Sequence, residues 1–224
     1  WYDDLGRLVV SQNDKQKPND EYSYTLYDEL GRLQEVGQTT NTTVMDYSIS
    51  TNPSGIDPLW LTNTREQITV TIYNQAHSST DSLVAKFTGG KQQNLRNRVS
   101  AMLYVETYSS SAFTNYDKAT HYSYDIHGNV FELVQENTDF TTTQSIMRYK
   151  KMEYDYDLIS GNVNEVVYQR GRIDQFMHRY NYDAENRLLN VYTATDPREW
   201  TLQANYIYYL HGPLARVELG ELNV

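Results

Sequence analysis

Cysteine is absent from all 224 residues, which excludes disulfides, thiolate metal sites and a cysteine nucleophile together and leaves the compartment open. No apolar run reaches the length of about 18 residues that a membrane-spanning helix needs. Positive charge is short as well. The chain has 19 Lys and Arg against 29 Asp and Glu, a formal net charge of −10. Non-specific nucleic-acid affinity rests on clustered Lys and Arg, so nucleic acid is not expected as a partner. The local basic spot at Arg148, Lys150 and Lys151 reads as a solvated strand edge that charge keeps from pairing.

Catalytic patterns are missing too. His77, His121, His127, His178 and His211 form no H-x-x-x-H or H-E-x-x-H platform. There is no G-x-S-x-G elbow for a serine nucleophile. "KFTGGKQ" (86–92) lacks the first phosphate-loop glycine at 85 and has Gln92 where Ser or Thr would hold magnesium. "DYDLISG" (155–161) offers Asp155 and Asp157, but apolar Leu158 and Ile159 follow where a calcium loop needs further oxygens. These absences set the expectation of a non-enzyme without cofactor or metal.

What is plentiful is tyrosine, with 21 copies against five phenylalanines, in a chain that is 39% hydrophobic and long enough to bury a core. Tyr, Thr and Val suit half-buried pleated surfaces, so the composition predicts β-structure. "YSYTLY" (22–27) and "ITVTIY" (68–73) alternate apolar and polar residues with the period of a strand.

A phrase recurs through these runs. Tyr2-Asp3 with Gly6-Arg7-Leu8 is followed by Tyr27-Asp28 with Gly31-Arg32-Leu33. It returns as Tyr124-Asp125 with Gly128-Asn129-Val130, and one residue longer as Tyr156-Asp157 with Gly161-Asn162-Val163. Tyr182-Asp183 with Asn186-Arg187-Leu188 comes next, and a worn copy reads Tyr209, Gly212, Leu214, one residue shorter. The unit is about 26 residues long. Degenerate copies near Tyr73-Asn74 and Tyr116-Asp117 are expected to fill part of the gap. Asp accepts backbone N–H bonds just ahead of it, and Gly or Asn four residues after the Tyr supplies positive φ, so the phrase predicts a hairpin turn. Apolar residues six and nine places after the Tyr, such as Leu33 and Val36 or Leu188 and Val191, are three apart. That spacing is helical, or puts the two on opposite faces of a strand. The short runs favour a strand covered on both faces, or one with a bulge beside the turn. Units this small must stack into a continuous sheet, which strand twist then curls.

The phrase Y-D-x-x-G-R-L at Tyr2–Leu8 and Tyr27–Leu33, relaxed at Tyr124, Tyr156 and Tyr182, resembles the YD repeat of RHS (rearrangement hot spot) proteins. "LRNRVSAMLYVE" (95–106), "HYSYDIHGNV" (121–130) and "YYLHGPLARVELGE" (208–221) are similar to the form found in large secreted bacterial members. The resemblance implies an all-β fold of consecutive antiparallel hairpins, part of a curved strip of a β-shell. It also implies that a secreted or cell-surface shell encloses a C-terminal toxin or effector polypeptide, with secretion-system or toxin-complex proteins as partners. A surface-exposed adhesion or glycan- and protein-binding module is the alternative. Residues 1–38 and 122–224 then hold YD repeats, and 39–121 a polar insertion with degenerate repeats. Trp1 directly precedes one phrase and Val224 follows another, so the chain is expected to be an internal piece of a larger protein. Neither Asp57-Pro58 nor Asp196-Pro197 continues into the autoproteolytic motif that closes such shells.

Overall fold

The computed structural model describes residues 1–52, 56, 60–61, 64–77, 83, 85–108 and 115–220. Pro53, the Asp57-Pro58 pair and Ser109–Ser111 lie outside the described residues. The fold is all-β. Its strands are β1 (Val10–Ser11), β2 (Glu21–Tyr27), β3 (Leu33–Thr40), β4 (Arg65–Tyr73), β5 (Val99–Thr107), β6 (Lys118–Tyr124) and β7 (Val130–Asn137), followed by β8 (Tyr149–Tyr156), β9 (Val163–Tyr168), β10 (Phe176–Tyr182), β11 (Leu188–Ala194), β12 (Thr201–Tyr208) and β13 (Leu214–Leu219). Their order in the sheet is their order in the chain. Two four-residue helices, α1 (Tyr47–Ser50) and α2 (Ser145–Arg148), sit in connections. No helix among the described residues is long and apolar enough to cross a membrane.

The chain divides into two compact units. The first comprises Trp1–Tyr122 with Gln135–Tyr149, the second Ser123–Val134 with Lys150–Val224. In the first unit the period-two alternation of "ITVTIY" turns Ile68 and Val70 inward, where they pack with Ala101, Leu103, Val105, Tyr116 and Ala119. "YSYTLY" does the same with Tyr22 and Tyr24, against Val9, Val10, Met45, Ile56 and Trp60. Tyr22 meets Trp60 edge to face with ring centres 5.1 Å apart. Residues 39–121 therefore do more than connect repeats: they supply β4, β5 and the start of β6. The second unit has a smaller buried cluster of Val167, Met177 and Ala194, covered by Trp200.

A bulge recurs beside the turns. Tyr27 pairs with Leu33 but Leu26 pairs with Glu35, so Gln34 is extra. Ser100, Asn164, Leu189 and Ala215 are the extra residues after Tyr73, Tyr156, Tyr182 and Tyr208. This explains the three-residue spacing. With one residue bulged out, Leu33 faces Tyr27 and Val36 faces Thr25, and both project from the same side of the sheet.

Gly37 answers a steric demand. A Cβ there would come within 2.7 Å of the Tyr24 hydroxyl and 3.0 Å of two ring carbons. Tyr24 is buried and donates to Glu35 Oε1 at 2.7 Å, so its ring has nowhere to retreat. Gly37→Ala is expected to cost about 1–3 kcal/mol by overpacking, read as a lower denaturation midpoint in the fluorescence of Trp60. Gly37→Ala combined with Tyr24→Leu should lose less than the sum of the two single changes.

Candidate functional site

The recurring phrase forms one local structure six times. In the first copy Asp3 Oδ1 accepts the N–H of Leu5 at 3.0 Å and of Arg7 at 2.8 Å, while Oδ2 takes Arg7 Nε at 2.7 Å. Asp28 repeats this with Leu30 and Arg32, and Asp183 with Glu185 and Arg187. Asp125 holds the N–H groups of His127, Gly128 and Asn129. Asp157 holds those of Ile159 and Ser160 in the longer loop. Gly6, Gly31, Gly128, Gly161, Asn186 and Gly212 all sit at positive φ, from 62° to 111°. Burial alone would raise the Asp3 and Asp183 carboxyls. The backbone N–H and guanidinium of Arg7 and of Arg187 outweigh it and hold both below the ordinary carboxylate value.

The sixth copy aligns one residue earlier than its sequence suggests. Tyr208 takes the tyrosine position and pairs with Leu214. Tyr209 takes the aspartate position, its N–H reaching Pro213 O at 3.0 Å and its carbonyl accepting from Gly212 at 2.9 Å. The copy therefore has ordinary length, with Tyr209 in place of the aspartate and Pro213 in place of the arginine.

The tyrosine itself links one hairpin to the one before. Tyr27 donates its hydroxyl to Leu8 O at 3.0 Å, and Tyr73 to Leu33 O at 2.9 Å. In the second unit Tyr156, Tyr182 and Tyr208 donate to Val130 O, Val163 O and Leu188 O, each at 2.9 Å. The acceptor is always the apolar residue six places into the preceding phrase, or seven in the longer copy. Phenylalanine fills the same space but cannot make this bond, which accounts for tyrosine at these five positions. Arginines reinforce the link: Arg7 lies over Tyr27 at 4.5 Å, Arg32 over Tyr73 at 4.2 Å and Arg187 over Tyr208 at 4.7 Å. Tyr182→Phe is expected to cost about 1 kcal/mol and to speed amide exchange in β9 and β10 while leaving β4 and β5 unchanged.

Of the two degenerate copies, Tyr73 is a full member that closes a hairpin through the long 74–98 connection. Tyr116-Asp117 is not. It precedes β6, which Tyr124 ends, and Asp117 accepts the N–H of Glu106.

Buried acids are the feature that sequence reasoning missed. Buried Glu35 lies two residues after Leu33 and buried Glu132 two after Val130, and half-buried Glu165 lies two after Val163. They pair with Arg65 at 2.9 Å, Lys151 at 2.6 Å and Arg179 at 3.0 Å. An acid two places into β3, β7 and β9 was the available signal. Beside Glu35, burial and the carboxylate push the Tyr24 phenol far up, so it stays a donor. The basic spot needs correction for the same reason. Strand β8 lies between β7 and β9 in the sheet order, so it is no edge, and Arg148, Lys150 and Lys151 each have a carboxylate partner in Glu136, Asp174 and Glu132.

Three of the five histidines stand apart from one another. His127 is near Asp125, His211 stacks on Tyr209, and His178 sits between Phe176 and Tyr180. Among the described residues no group of three or more His, Asp or Glu side chains could hold a metal ion.

No protein-family model and no curated protein matches the chain. A solved structure of TcdB2-TccC3 without its hypervariable C-terminal region does match. It is 14% identical with a TM-score of 0.55, over 96% of this chain and 9% of that one. The likeness is one of fold: an all-β strip of consecutive antiparallel strands. A Photorhabdus luminescens Tc holotoxin pore carrying a TccC3-D651A change is also similar, at 13% identity and TM-score 0.40, over 98% of this chain and 12% of that one. The chain thus spans about a tenth of the chains it matches. Within it the YD phrase serves as a hinge: carboxylate and left-handed residue close each reversal, and the tyrosine fastens it to its predecessor.

Proposed function

We propose that this chain is a non-enzymatic wall segment of an RHS-repeat shell, which encloses and shields a C-terminal toxin or effector polypeptide of a secreted bacterial protein. The observation that carries the reading is the tyrosine-to-carbonyl link, repeated from hairpin to hairpin. It spends the recurring tyrosine hydroxyls on holding neighbouring hairpins together. The match to TcdB2-TccC3 supports a shell-type role. The partners are then the remainder of the shell, the enclosed polypeptide, and secretion-system or toxin-complex proteins.

Adhesion is the second reading. It rests on a groove in the second unit lined by Tyr180, Asn162, Asn181, Asn186 and Asn190, where planar amides surround an aromatic ring.

Limited proteolysis of the intact native protein with mass analysis separates the two. A resistant wall containing these residues that retains a distinct polypeptide is the expected result. A resistant wall with nothing held inside, together with glycan-array binding that Tyr180→Ala abolishes, would replace encapsulation with adhesion.

A further inference from the structure

The first unit contains one buried group of polar side chains that the hinges do not use. Glu136 on β7 is buried and accepts on both oxygens. Oε2 takes the Tyr116 hydroxyl at 2.8 Å and lies 3.3 Å from His121 Nε2. Oε1 takes Arg148 Nη2 at 2.7 Å and Nε at 3.0 Å. His121, itself fully buried on β6, lies parallel to His77, with ring centres 6.1 Å apart and planes 6° apart. His77 also meets the edge of Tyr116, at 5.6 Å. Five segments converge here: the 74–98 connection through His77, the residue pair before β6, then β6, β7 and α2.

The charge balance is full without the imidazoles. One carboxylate faces one guanidinium, and Arg148 spends its remaining nitrogen on Phe140 O at 2.8 Å. The other titratable neighbours are Tyr149, within 3.2 Å of Arg148 Nε, and Lys86, which lies 5.2 Å over the Tyr149 ring. Glu106 and Asp117 line an open groove beside Tyr116 and Arg148 and reach neither ring. His121 Nδ1 and His77 Nε2 are buried without a hydrogen-bond partner among the described residues. A proton added to His77 Nε2 would gain a charge and no acceptor, whereas His121 already faces the Glu136 carboxylate through Nε2.

We propose that this cluster is an acid-sensitive joint, in which protonation of His77, its ring stacked on buried His121, loosens residues 74–77 from β6 and β7. The claim is independent of what the wall encloses. Burial, and then the neighbouring His121, push His77 below its ordinary 6.5, with Glu136 opposing. A histidine depressed in the closed state contributes stability that is whole above the open-state value and is lost as pH falls below it. The sensitive window therefore opens near pH 6.5, above the range in which the hinge aspartates titrate.

Hydrogen exchange on the intact native protein at pH 7.5 and 5.5, corrected for intrinsic rates, tests this. Opening of peptides covering 116–124 and 131–137 is expected to rise, with about tenfold as the ceiling for one proton over one pH unit below 6.5. Peptides across the Tyr27–Leu33 hinge should not change. In His77→Phe, which keeps the ring and cannot titrate, the rise should disappear, and His77→Gln serves if the larger ring disturbs folding. Equal opening at both pH values in the natural protein, or an undiminished rise in both variants, overturns the proposal.

Discussion

Glu136→Leu is expected to destabilise the first unit by about 3–5 kcal/mol, because it leaves a largely buried guanidinium without its counter-charge. The Arg148 side chain is only 14% exposed and makes two of its bonds to this one carboxylate. The Tyr116 hydroxyl loses its acceptor as well. Denaturant unfolding followed by the fluorescence of Trp60, which belongs to the same unit, reads the loss as a lower midpoint. The double change Glu136→Leu with Arg148→Met removes both charges and should recover much of it. A loss below about 1 kcal/mol in the single variant would mean that the pair is solvated and not structural.

The same residue sets a pH dependence. Burial alone would raise Glu136. Hydrogen bonds from His121, Tyr116 and Arg148 instead hold it at about 2, against an ordinary 4.5. A depressed carboxyl contributes stability that is present above its unfolded value and drains away as pH falls from 4.5 towards 2. The acid limb of stability in this unit should therefore flatten in the Glu136→Leu variant.

Leu103→Ala carries the second large effect, about 2–5 kcal/mol. Leu103 lies fully buried on β5 among Ile68, Val70 and Ala119, where the antiparallel partners Val70 and Ala119 flank it on both sides. A cavity opened between paired strands cannot close without moving their ladders. Leu5→Ala is the matching control, since Leu5 stands 76% exposed at a hinge tip and should change stability by less than about 0.5 kcal/mol. Comparable losses at both positions would contradict this placement of the core.

The hinge was open to sequence reasoning because its chemistry is local: Asp3 or Asp183 bonds to residues two and four places on, and Gly31 or Asn186 supplies the left-handed backbone. The acceptors of the tyrosine hydroxyls were not. They are backbone carbonyls on a neighbouring hairpin, and a carbonyl has no letter in the sequence. For the same reason Tyr208 and Tyr209 could not be told apart until the register of β12 and β13 was known. The apolar spacing of three was visible at Leu33 and Val36, but only pairing shows that Gln34 is the bulged residue. Glu136 and Glu132 find their cations 12 and 19 residues away, so local context made the basic trio look like a solvated edge.

The central claim is that consecutive hairpins form a wall around enclosed polypeptide. Electron cryomicroscopy of the intact native protein tests it most directly. The account predicts that these strands line a lumen containing density for a second polypeptide, with each phrase tyrosine bonded to the preceding hairpin. A strip exposed to solvent on both faces, with no lumen beside it, would contradict the account.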